Sequence, residues 1–122
     1  GIPSLPELFL HQINGVSWEE FVIENILNEV PWKAEAFYYR TQAGAEMDLV
    51  IKFTNGEIGA IEVKRNITKV SLTKGFYQAH ADLNPTKTVV IYQGTERFPI
   101  AKGIDAVNIM DVLPQLKKCC LN

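Results

Sequence analysis

Two acidic residues and a lysine are the part of this 122-residue sequence best suited to chemistry. Asp48 lies in one apolar segment, and Glu62 and Lys64 lie two residues apart in the next. Mg²⁺ and Mn²⁺ prefer hard oxygen ligands, and proteins often hold them with one or two carboxylates and several waters. A neighbouring lysine can stabilise the charge that develops on a phosphoryl oxygen. The three residues therefore indicate phosphodiester hydrolysis with a divalent cation.

Two adjacent strands are predicted to position these residues. Apolar and more polar residues alternate through 45–53, as in a strand with one buried face. Residues 57–64 form a second strand, and Thr54-Asn55-Gly56 between them is a typical turn sequence. One face of the first strand carries Met47, Leu49, Ile51 and Phe53, and the other carries Glu46, Asp48, Val50 and Lys52. The pair is predicted to form a β-hairpin.

The register of this hairpin decides whether the two acids meet. A two-residue loop would place Asp48 and Glu62 on opposite sides and mix the apolar rows, which a half-buried sheet disfavours. A three-residue loop with Gly56 in the left-handed conformation pairs Phe53 with Glu57 instead. The pairs that follow are Leu49 with Ile61, Met47 with Val63, and Asp48 with Glu62. Opposed carboxylates repel unless a cation or a proton lies between them, so this register favours a cation site.

The first predicted helix, residues 18–29, supplies a further acid. Ser17 and Glu20 before and within its first turn have the spacing of a capping box. Its apolar positions span roughly a half-circle with Glu19 near the centre; they are Trp18, Val22, Ile23, Ile26, Leu27 and Val30. A carboxylate on a buried face is costly unless it is paired or coordinates a metal. Glu19 is therefore the candidate third acid, whereas Glu24 belongs to a solvated stripe.

The remaining segments complete an α/β pattern. After a lead-in segment at residues 1–14, we expect one domain over residues 15–122, because the sequence is 47% hydrophobic and contains no linker. Further predicted elements are a strand at 36–41, a helix from Ser71 or Leu72 to Leu83, a strand at 88–92, shorter strands at 98–101 and 106–109, and a helical turn at 111–117. This order predicts a central sheet flanked by helices.

Composition and charge exclude several classes of protein. Twelve Lys and Arg against fourteen Asp and Glu give a net charge of -2, so contact with nucleic acid would require a local basic patch. No apolar run is long enough to cross a membrane. The adjacent cysteines Cys119 and Cys120 are unsuited to a disulfide framework, which favours a reducing, cytoplasmic location.

The order αβββαβ with Asp48 and then Glu62-Val63-Lys64 resembles the PD-(D/E)XK, or restriction-endonuclease-like, nuclease superfamily. The spacing from Gly15 to Glu19 is similar to the glutamate motif of its archaeal Holliday-junction resolvase branch. A closer resemblance covers residues 15 to about 109 and is to the uncharacterised C-terminal domain of bacterial and archaeal AAA-type ATP-binding proteins. The segments that carry it are Gly15 to Val22, Tyr39-Arg40-Thr41, Gly44 to Asp48 and Ile61 to Lys64.

The resemblance implies a set of roles for these residues. Glu19, Asp48 and Glu62 would bind Mg²⁺ or Mn²⁺, the backbone carbonyl of Val63 could join them, and Lys64 would be the catalytic lysine. It also implies an ATPase domain as a partner in the parent chain and a possible homodimer. The proline of the superfamily name is replaced by Met47, and no phosphate-binding G-x-x-x-x-G-K-[ST] motif occurs, so this chain itself is not expected to bind ATP.

Several other residues are weaker candidates. Gln78 on the second helix and Glu46 beside Asp48 could support the site, but each could equally be a surface residue. A phosphate-binding patch could include Arg65, Lys69 and Lys74, although such charges more often form a solvated face. Aromatic residues that could stack on bases, but are more often packed against a sheet, are Trp32, Tyr38 and Tyr39.

Two functional hypotheses follow from these residues. The first is a Mg²⁺-dependent nuclease-like domain that acts on DNA through Glu19, Asp48, Glu62 and Lys64. The second is a nuclease fold that has lost catalysis and binds nucleic acid or protein, because a fold does not determine a function. The hypotheses differ in whether the three acids come within reach of one cation.

Overall fold

The computed structural model describes residues 17–67 and 72–121, and these residues form an α/β fold with three helices and six strands. The elements in chain order are α1 (Trp18–Glu29), β1 (Glu35–Arg40), β2 (Glu46–Lys52), β3 (Ile58–Val63), α2 (Lys74–Leu83), β4 (Lys87–Ile91), β5 (Phe98–Ala101), β6 (Ile104–Val107) and α3 (Ile109–Leu116). The predicted αβββαβ order is confirmed. The lead-in segment at residues 1–14, and Gly15, lie outside the described residues.

The six strands form one mixed sheet in the order β1-β2-β3-β4-β6-β5. β1, β2 and β3 are antiparallel neighbours, β4 lies parallel to both β3 and β6, and β5 forms an antiparallel edge. The parallel step from β3 to β4 requires a crossover, and α2 supplies it. Among the described residues, no helix has the length and apolar character that a membrane span needs.

Two apolar clusters cover the two faces of the sheet. One cluster packs α1 and α3 against the first face; its α1 members are Trp18, Val22 and Ile26. The other packs α2 against the second face through Phe76 and Ala79. Because both faces are covered, the central strands are apolar on both sides, as the continuous apolar run of β4 predicted.

Local capping sets where the helices begin. The Ser17 hydroxyl accepts a hydrogen bond from the Glu20 N–H at 3.1 Å, so α1 begins at Trp18, as predicted. α2 begins at Lys74 rather than at residue 71 or 72, because the Thr73 hydroxyl caps the Phe76 N–H at 3.1 Å. Ser71 itself lies outside the described residues.

A cap also explains the shift in the last two elements. β6 covers residues 104–107 instead of the predicted 106–109, and α3 begins at Ile109 instead of Asp111. The Asn108 side chain accepts from the Met110 N–H at 2.9 Å, and the Asp111 carboxylate accepts from the Asn108 N–H at 3.3 Å. This capping box ends the strand and starts the helix within two residues.

Gly75 inside α2 is required by close packing. A Cβ at this position would overlap the backbone carbonyl of Gly44, in the loop between β1 and β2. We expect Gly75→Ala to lower the free energy of unfolding by about 1–3 kcal/mol, because the helix must move away from the sheet. Urea denaturation measures this change, and Ala81→Gly, at an exposed position of α2, gives the reference. At position 81, helix propensity alone favours alanine over glycine by about 1 kcal/mol. If Gly75→Ala were stabilising by a similar amount, alanine would fit beside Gly44 and the proposed overlap would be wrong.

The hairpin of β2 and β3 has the predicted three-residue turn. Gly56 has a φ of 90°, and the Phe53 N–H donates to the Glu57 carbonyl at 2.9 Å. Leu49 pairs with Ile61, as predicted, and the ladder continues to Lys52 with Ile58. The turn and the register of the hairpin are therefore confirmed.

The predicted strict alternation of β2 is wrong at one point. Phe37 of β1 pairs with Val50 and Tyr39 pairs with Met47, so β2 has one extra residue in this interval. As a result Met47 and Val50 both lie in the cluster under α2, and Met47 does not pack with Val63, which lies on the other face. Such a β-bulge re-aims neighbouring side chains. The two residues within this bulge are Asp48 and Leu49.

Candidate functional site

The Asp48 and Glu62 carboxylates interlock across the hairpin where the regular ladder ends. The Asp48 N–H donates to Glu62 Oε1 at 3.1 Å, and the Val63 N–H donates to Asp48 Oδ2 at 2.9 Å. Each carboxylate therefore accepts a hydrogen bond from a backbone N–H of the other strand. In a regular ladder a backbone carbonyl would accept that bond. The predicted meeting of the two acids is confirmed, and the bulge in β2 explains why side chains replace the ladder here.

The surroundings of the Glu62 carboxyl group disfavour its charged form. Its side chain lies in the sheet with the residue only 6% exposed. Burial, followed by the hydrogen bond and the negative charge of Asp48, raises the pKa of Glu62 to about 8. The Asp48 backbone hydrogen bond and the positive charge of Lys64 act in the opposite direction and are weaker. A proton or a cation between the carboxylates would offset the repulsion between them.

The two carboxylates fit a small divalent cation. Each uses one oxygen for a backbone N–H, which fixes its orientation. A hydrogen bond also joins the two side chains, so a cation would take the place of the proton that they share. Mg²⁺ and Mn²⁺ are commonly held by one or two carboxylates, with water completing the shell. The donor set of Asp48 and Glu62 thus suits such an ion.

Lys64 and Val63 extend the pair at the end of β3. The Lys64 N–H donates to the Ile91 carbonyl of β4 at 2.9 Å, which fixes the backbone from which its half-buried side chain projects. Its ammonium group is near enough to lower the pKa of Glu62. Val63 contacts the pair through its N–H, and a role for its carbonyl stays a prediction.

Glu19 does not lie where its helix position predicted. Its side chain is 41% exposed, and Oε1 is 4.0 Å from Arg65 Nε. The buried face of α1 is centred on Trp18, Val22 and Ile26, whereas Leu27 is exposed, so Glu19 occupies the flank of that face. Within residues 17–67 and 72–121, no three His, Cys, Asp or Glu side chains are placed to hold one metal ion. The structure therefore joins Asp48 to Glu62 without Glu19.

The two weaker support candidates have other partners. Gln78 is exposed and donates to Asp82 Oδ1 at 2.7 Å, one turn along its own helix. Glu46 accepts from Arg40 Nη2 at 2.7 Å and from Arg40 Nε at 3.0 Å. Both side chains are thus held by neighbours outside the carboxylate pair, in the manner of surface residues.

The described residues do not test the predicted phosphate patch as a whole, because Lys69 lies outside them. Arg65 faces Glu19, which offsets its charge. Lys74 is exposed at the first turn of α2. A cation patch beside the pair therefore stays a prediction.

Two aromatic residues are more exposed than the sequence led us to expect. Trp32 is 87% exposed and Tyr38 is 53% exposed, so neither packs fully against the sheet. Tyr39 follows the expectation, because it packs against the cluster under α2 and its hydroxyl donates to Asp82. Because strict alternation was predicted for β2, the sequence did not indicate that Tyr38 lies opposite the bulge that carries Asp48.

Sequence comparisons place the chain in a family. Residues 14–112 match the family described as "Domain of unknown function (DUF4143)". The chain belongs to the DUF4143 family. Similar curated proteins include uncharacterized protein Rv2008c of Mycobacterium tuberculosis and uncharacterized protein Mb2031c of Mycobacterium bovis, each 32% identical to this DUF4143 chain over 99 residues.

This DUF4143 chain is shorter than its relatives. The match covers 81% of the chain but only 22% of each mycobacterial protein, so the chain spans about a fifth of their length. No solved structure matches the chain. The function of the DUF4143 domain must therefore be argued from its own residues.

Proposed function

We propose that the chain is a metal-dependent nuclease-like domain that hydrolyses phosphodiester bonds in DNA. Asp48 and Glu62 would hold Mg²⁺ or Mn²⁺, and Lys64 would stabilise negative charge on the reacting phosphate. The observation that carries this proposal is the interlocked carboxylate pair, in which burial and Asp48 raise the pKa of Glu62 to about 8. Strongly perturbed pKa values of this kind cluster at functional sites, where burial and a like charge are arranged together.

Each residue of the site has a distinct part in the proposed reaction. The bound cation would supply Lewis-acid polarisation of a phosphoryl oxygen. The Asp48 and Glu62 carboxylates are oriented for binding by the backbone N–H groups of the opposite strands. The Lys64 ammonium group lies beside Glu62 and could stabilise charge that develops in the transition state. Both carboxylates must be deprotonated to bind the cation.

The resemblance to the PD-(D/E)XK superfamily supports this proposal. The αβββαβ order, the mixed sheet and the position of Asp48 opposite Glu62 at the end of a hairpin agree with that resemblance. Because the chain spans about a fifth of its mycobacterial relatives, we also propose that it works beside a further domain, for which an ATPase is the candidate. A homodimer and a cytoplasmic location remain part of the same proposal.

Lys64→Met separates binding of the cation from chemistry. Methionine keeps much of the aliphatic stem but removes the charge, so Mn²⁺ affinity should be little changed. DNA cleavage should fall by about 10²- to 10³-fold, the loss typical when one group that stabilises transition-state charge is removed. Mn²⁺ binding is measured by electron paramagnetic resonance, and cleavage by gel analysis of labelled duplex, branched and single-stranded DNA with Mg²⁺ or Mn²⁺.

A matched control keeps this test specific. Lys102→Met removes the same charge from an exposed position in the turn between β5 and β6 and should leave cleavage unchanged. Absence of cleavage of every DNA form by the unaltered chain, together with absence of Mn²⁺ binding, would refute the proposed function.

The second candidate function is a nuclease fold that binds without catalysing. It is favoured by the separation of Glu19 from Asp48 and Glu62, which leaves the pair without a third acid among the described residues. This candidate predicts no binding of Mn²⁺ and full tolerance of Lys64→Ala. Function would then be lost only through substitutions on an exposed surface.

A further inference from the structure

Exposed aromatic rings with cations beside them line the outer strand β1. Lys33 Nζ lies 5.0 Å from the centroid of the Trp32 ring, and the Arg40 guanidinium carbon lies 5.7 Å from the centroid of the Tyr38 ring. Both rings are more than half exposed. We call these four residues, Trp32, Lys33, Tyr38 and Arg40, the β1 edge. An exposed ring with a cation beside it offers a flat surface for stacking and a positive charge in the same place.

Cations paired with aromatic rings are concentrated at this strand. A third pair places Lys52 Nζ 5.6 Å from the Phe37 ring, so all three cation–π contacts in the described residues involve β1 or residues next to it. Acids of the same two strands include Glu35, Glu46 and Asp48, and Glu46 binds Arg40 and offsets its charge. Among the described residues, the cations here without an ion pair are therefore Lys33 and Lys52. Single-stranded nucleic acids are bound by this combination, because bases stack on rings while cations neutralise phosphates.

The opposite edge of the sheet differs, because its aromatic residue Phe98 packs edge-to-face against Tyr92 instead of against a cation. β5 has four residues and contains Pro99, which has no N–H to offer to another strand. β1 has six residues and no proline. The two edges therefore differ both in chemistry and in accessibility to a partner.

The backbone of Tyr38 lies opposite the β2 segment that carries Asp48. Its neighbours Phe37 and Tyr39 pair with Val50 and Met47, so Tyr38 faces the two-residue bulge of β2. One of those two residues is Asp48, whose carboxylate accepts from the Val63 N–H. A base stacked on Tyr38 would therefore lie on the strand next to the one that carries Asp48.

We propose that the β1 edge, together with the neighbouring Lys52, binds single-stranded DNA, with unpaired bases stacked on Tyr38 and Trp32. The phosphates are contacted by Lys33 and Lys52, since Glu46 offsets the charge of Arg40. This inference rests on the proposed function for the choice of DNA as the ligand. It adds that the substrate has an unpaired strand, as at a flap, a fork or a frayed end.

The binding test uses the 122-residue chain in EDTA, so that neither a divalent cation nor cleavage contributes. Fluorescence anisotropy with labelled oligo(dT) should show Tyr38→Ala weakening binding by about tenfold, as expected for the loss of one stacked base. Tyr38→Phe should bind as the unaltered chain does, because the ring remains. Tyr77→Ala is the matched control, since Tyr77 is an exposed aromatic residue on α2 and should have no effect.

Tryptophan fluorescence gives a second and direct readout. The sequence has two tryptophans, Trp18 is buried in the core, and Trp32 is exposed. Oligo(dT) should therefore quench the emission of Trp32 and leave that of Trp18 unchanged. Trp32→Phe should abolish the quenching and weaken binding only modestly, because phenylalanine can still stack.

Several results would overturn the inference. One is wild-type affinity in Tyr38→Ala, and another is an equal loss in Tyr77→Ala or on blunt duplex DNA. A dimer in light scattering that Tyr38→Ala dissociates, without a change in DNA affinity, would assign the β1 edge to a second copy of the chain instead. If Tyr38-dependent binding persists but Mn²⁺ binding and cleavage are absent, the inference stands and the proposed catalysis fails.

Discussion

Asp48→Asn is expected to abolish Mn²⁺ binding and to lower DNA cleavage on the order of 10³-fold. Asparagine keeps an oxygen that can accept from the Val63 N–H, which is 2.9 Å away, so the hairpin should remain folded. It removes the charge that a cation needs, and a metal centre supplies several kcal/mol of transition-state stabilisation. Each 1.36 kcal/mol corresponds to a tenfold change in rate. Electron paramagnetic resonance of Mn²⁺ and initial cleavage rates are the measurements.

Glu19→Gln is the matched control for this experiment. Both substitutions remove one acid that the sequence placed in the metal site, but the Glu19 carboxylate faces Arg65 in the structure. Mn²⁺ affinity in Glu19→Gln should stay within about twofold of the unaltered chain, a change below about 0.5 kcal/mol. Equal losses in the two variants would contradict the two-carboxylate arrangement. Unchanged Mn²⁺ binding in Asp48→Asn would contradict the site itself.

The second large effect is a loss of stability with rising pH when divalent cations are removed. Burial and Asp48 raise the pKa of Glu62 from 4.5 to about 8 in the folded chain. Below pH 4.5 the folded and unfolded chains both carry the proton, so the contribution of Glu62 to stability is fully present there. It is lost as the pH rises toward about 8, because the unfolded chain releases the proton first. The expected loss is on the order of a few kcal/mol.

Glu62→Gln tests this origin of the pH dependence. Glutamine resembles the protonated acid and does not titrate, so the fall in the free energy of unfolding toward pH 8 in EDTA should disappear. What remains is the rise with pH that half-buried His80 contributes through its lowered pKa. Urea denaturation at a series of pH values measures it, with Glu24→Gln, on the exposed side of α1, as the control that keeps the slope. A slope in Glu62→Gln equal to that of the unaltered chain would show that Glu62 does not cause it.

Added Mn²⁺ should reverse this pH dependence in the unaltered chain. The cation binds the deprotonated carboxylates of the folded chain, and at about 100 times its dissociation constant it would add about 2.7 kcal/mol of stability. Asp48→Asn and Glu62→Gln should each lose this effect while being more stable than the unaltered chain near pH 8 without cation. Greater stability combined with lost cation binding is expected of residues retained for function rather than for folding.

Much of the site could be predicted because the relevant signals are local. The period of two along β2 and β3, together with Gly56 in the turn, determines a register in which Leu49 pairs with Ile61. That register alone brings Asp48 to Glu62. Helix α1 could also be predicted from local signals, because the Ser17 cap and Pro31 mark the two ends of an apolar segment.

Other features depend on contacts between distant segments. A single residue was added to β2 by its pairing with β1, and this bulge moved Met47 to the other face and ended the ladder at the acids. The face of α1 that becomes buried depends on how the helix lies on the sheet, and this orientation put Glu19 on the flank with Arg65. Helix periodicity gives the relative angles of side chains but not which angle meets the core.

For the carboxylate pair, the sequence determined some properties and the tertiary structure decided the others. The sequence by itself determined that Asp48 and Glu62 meet, because the turn length and the alternation from Leu49 to Phe53 set the register of the hairpin up to the two acids. Only the tertiary structure decided how buried Glu62 is, that its pKa lies near 8, and that Glu19 stays apart. Those properties arise from α1, α2 and β1 packing around the hairpin, and desolvation and charge act through that surrounding packing rather than through neighbours in sequence.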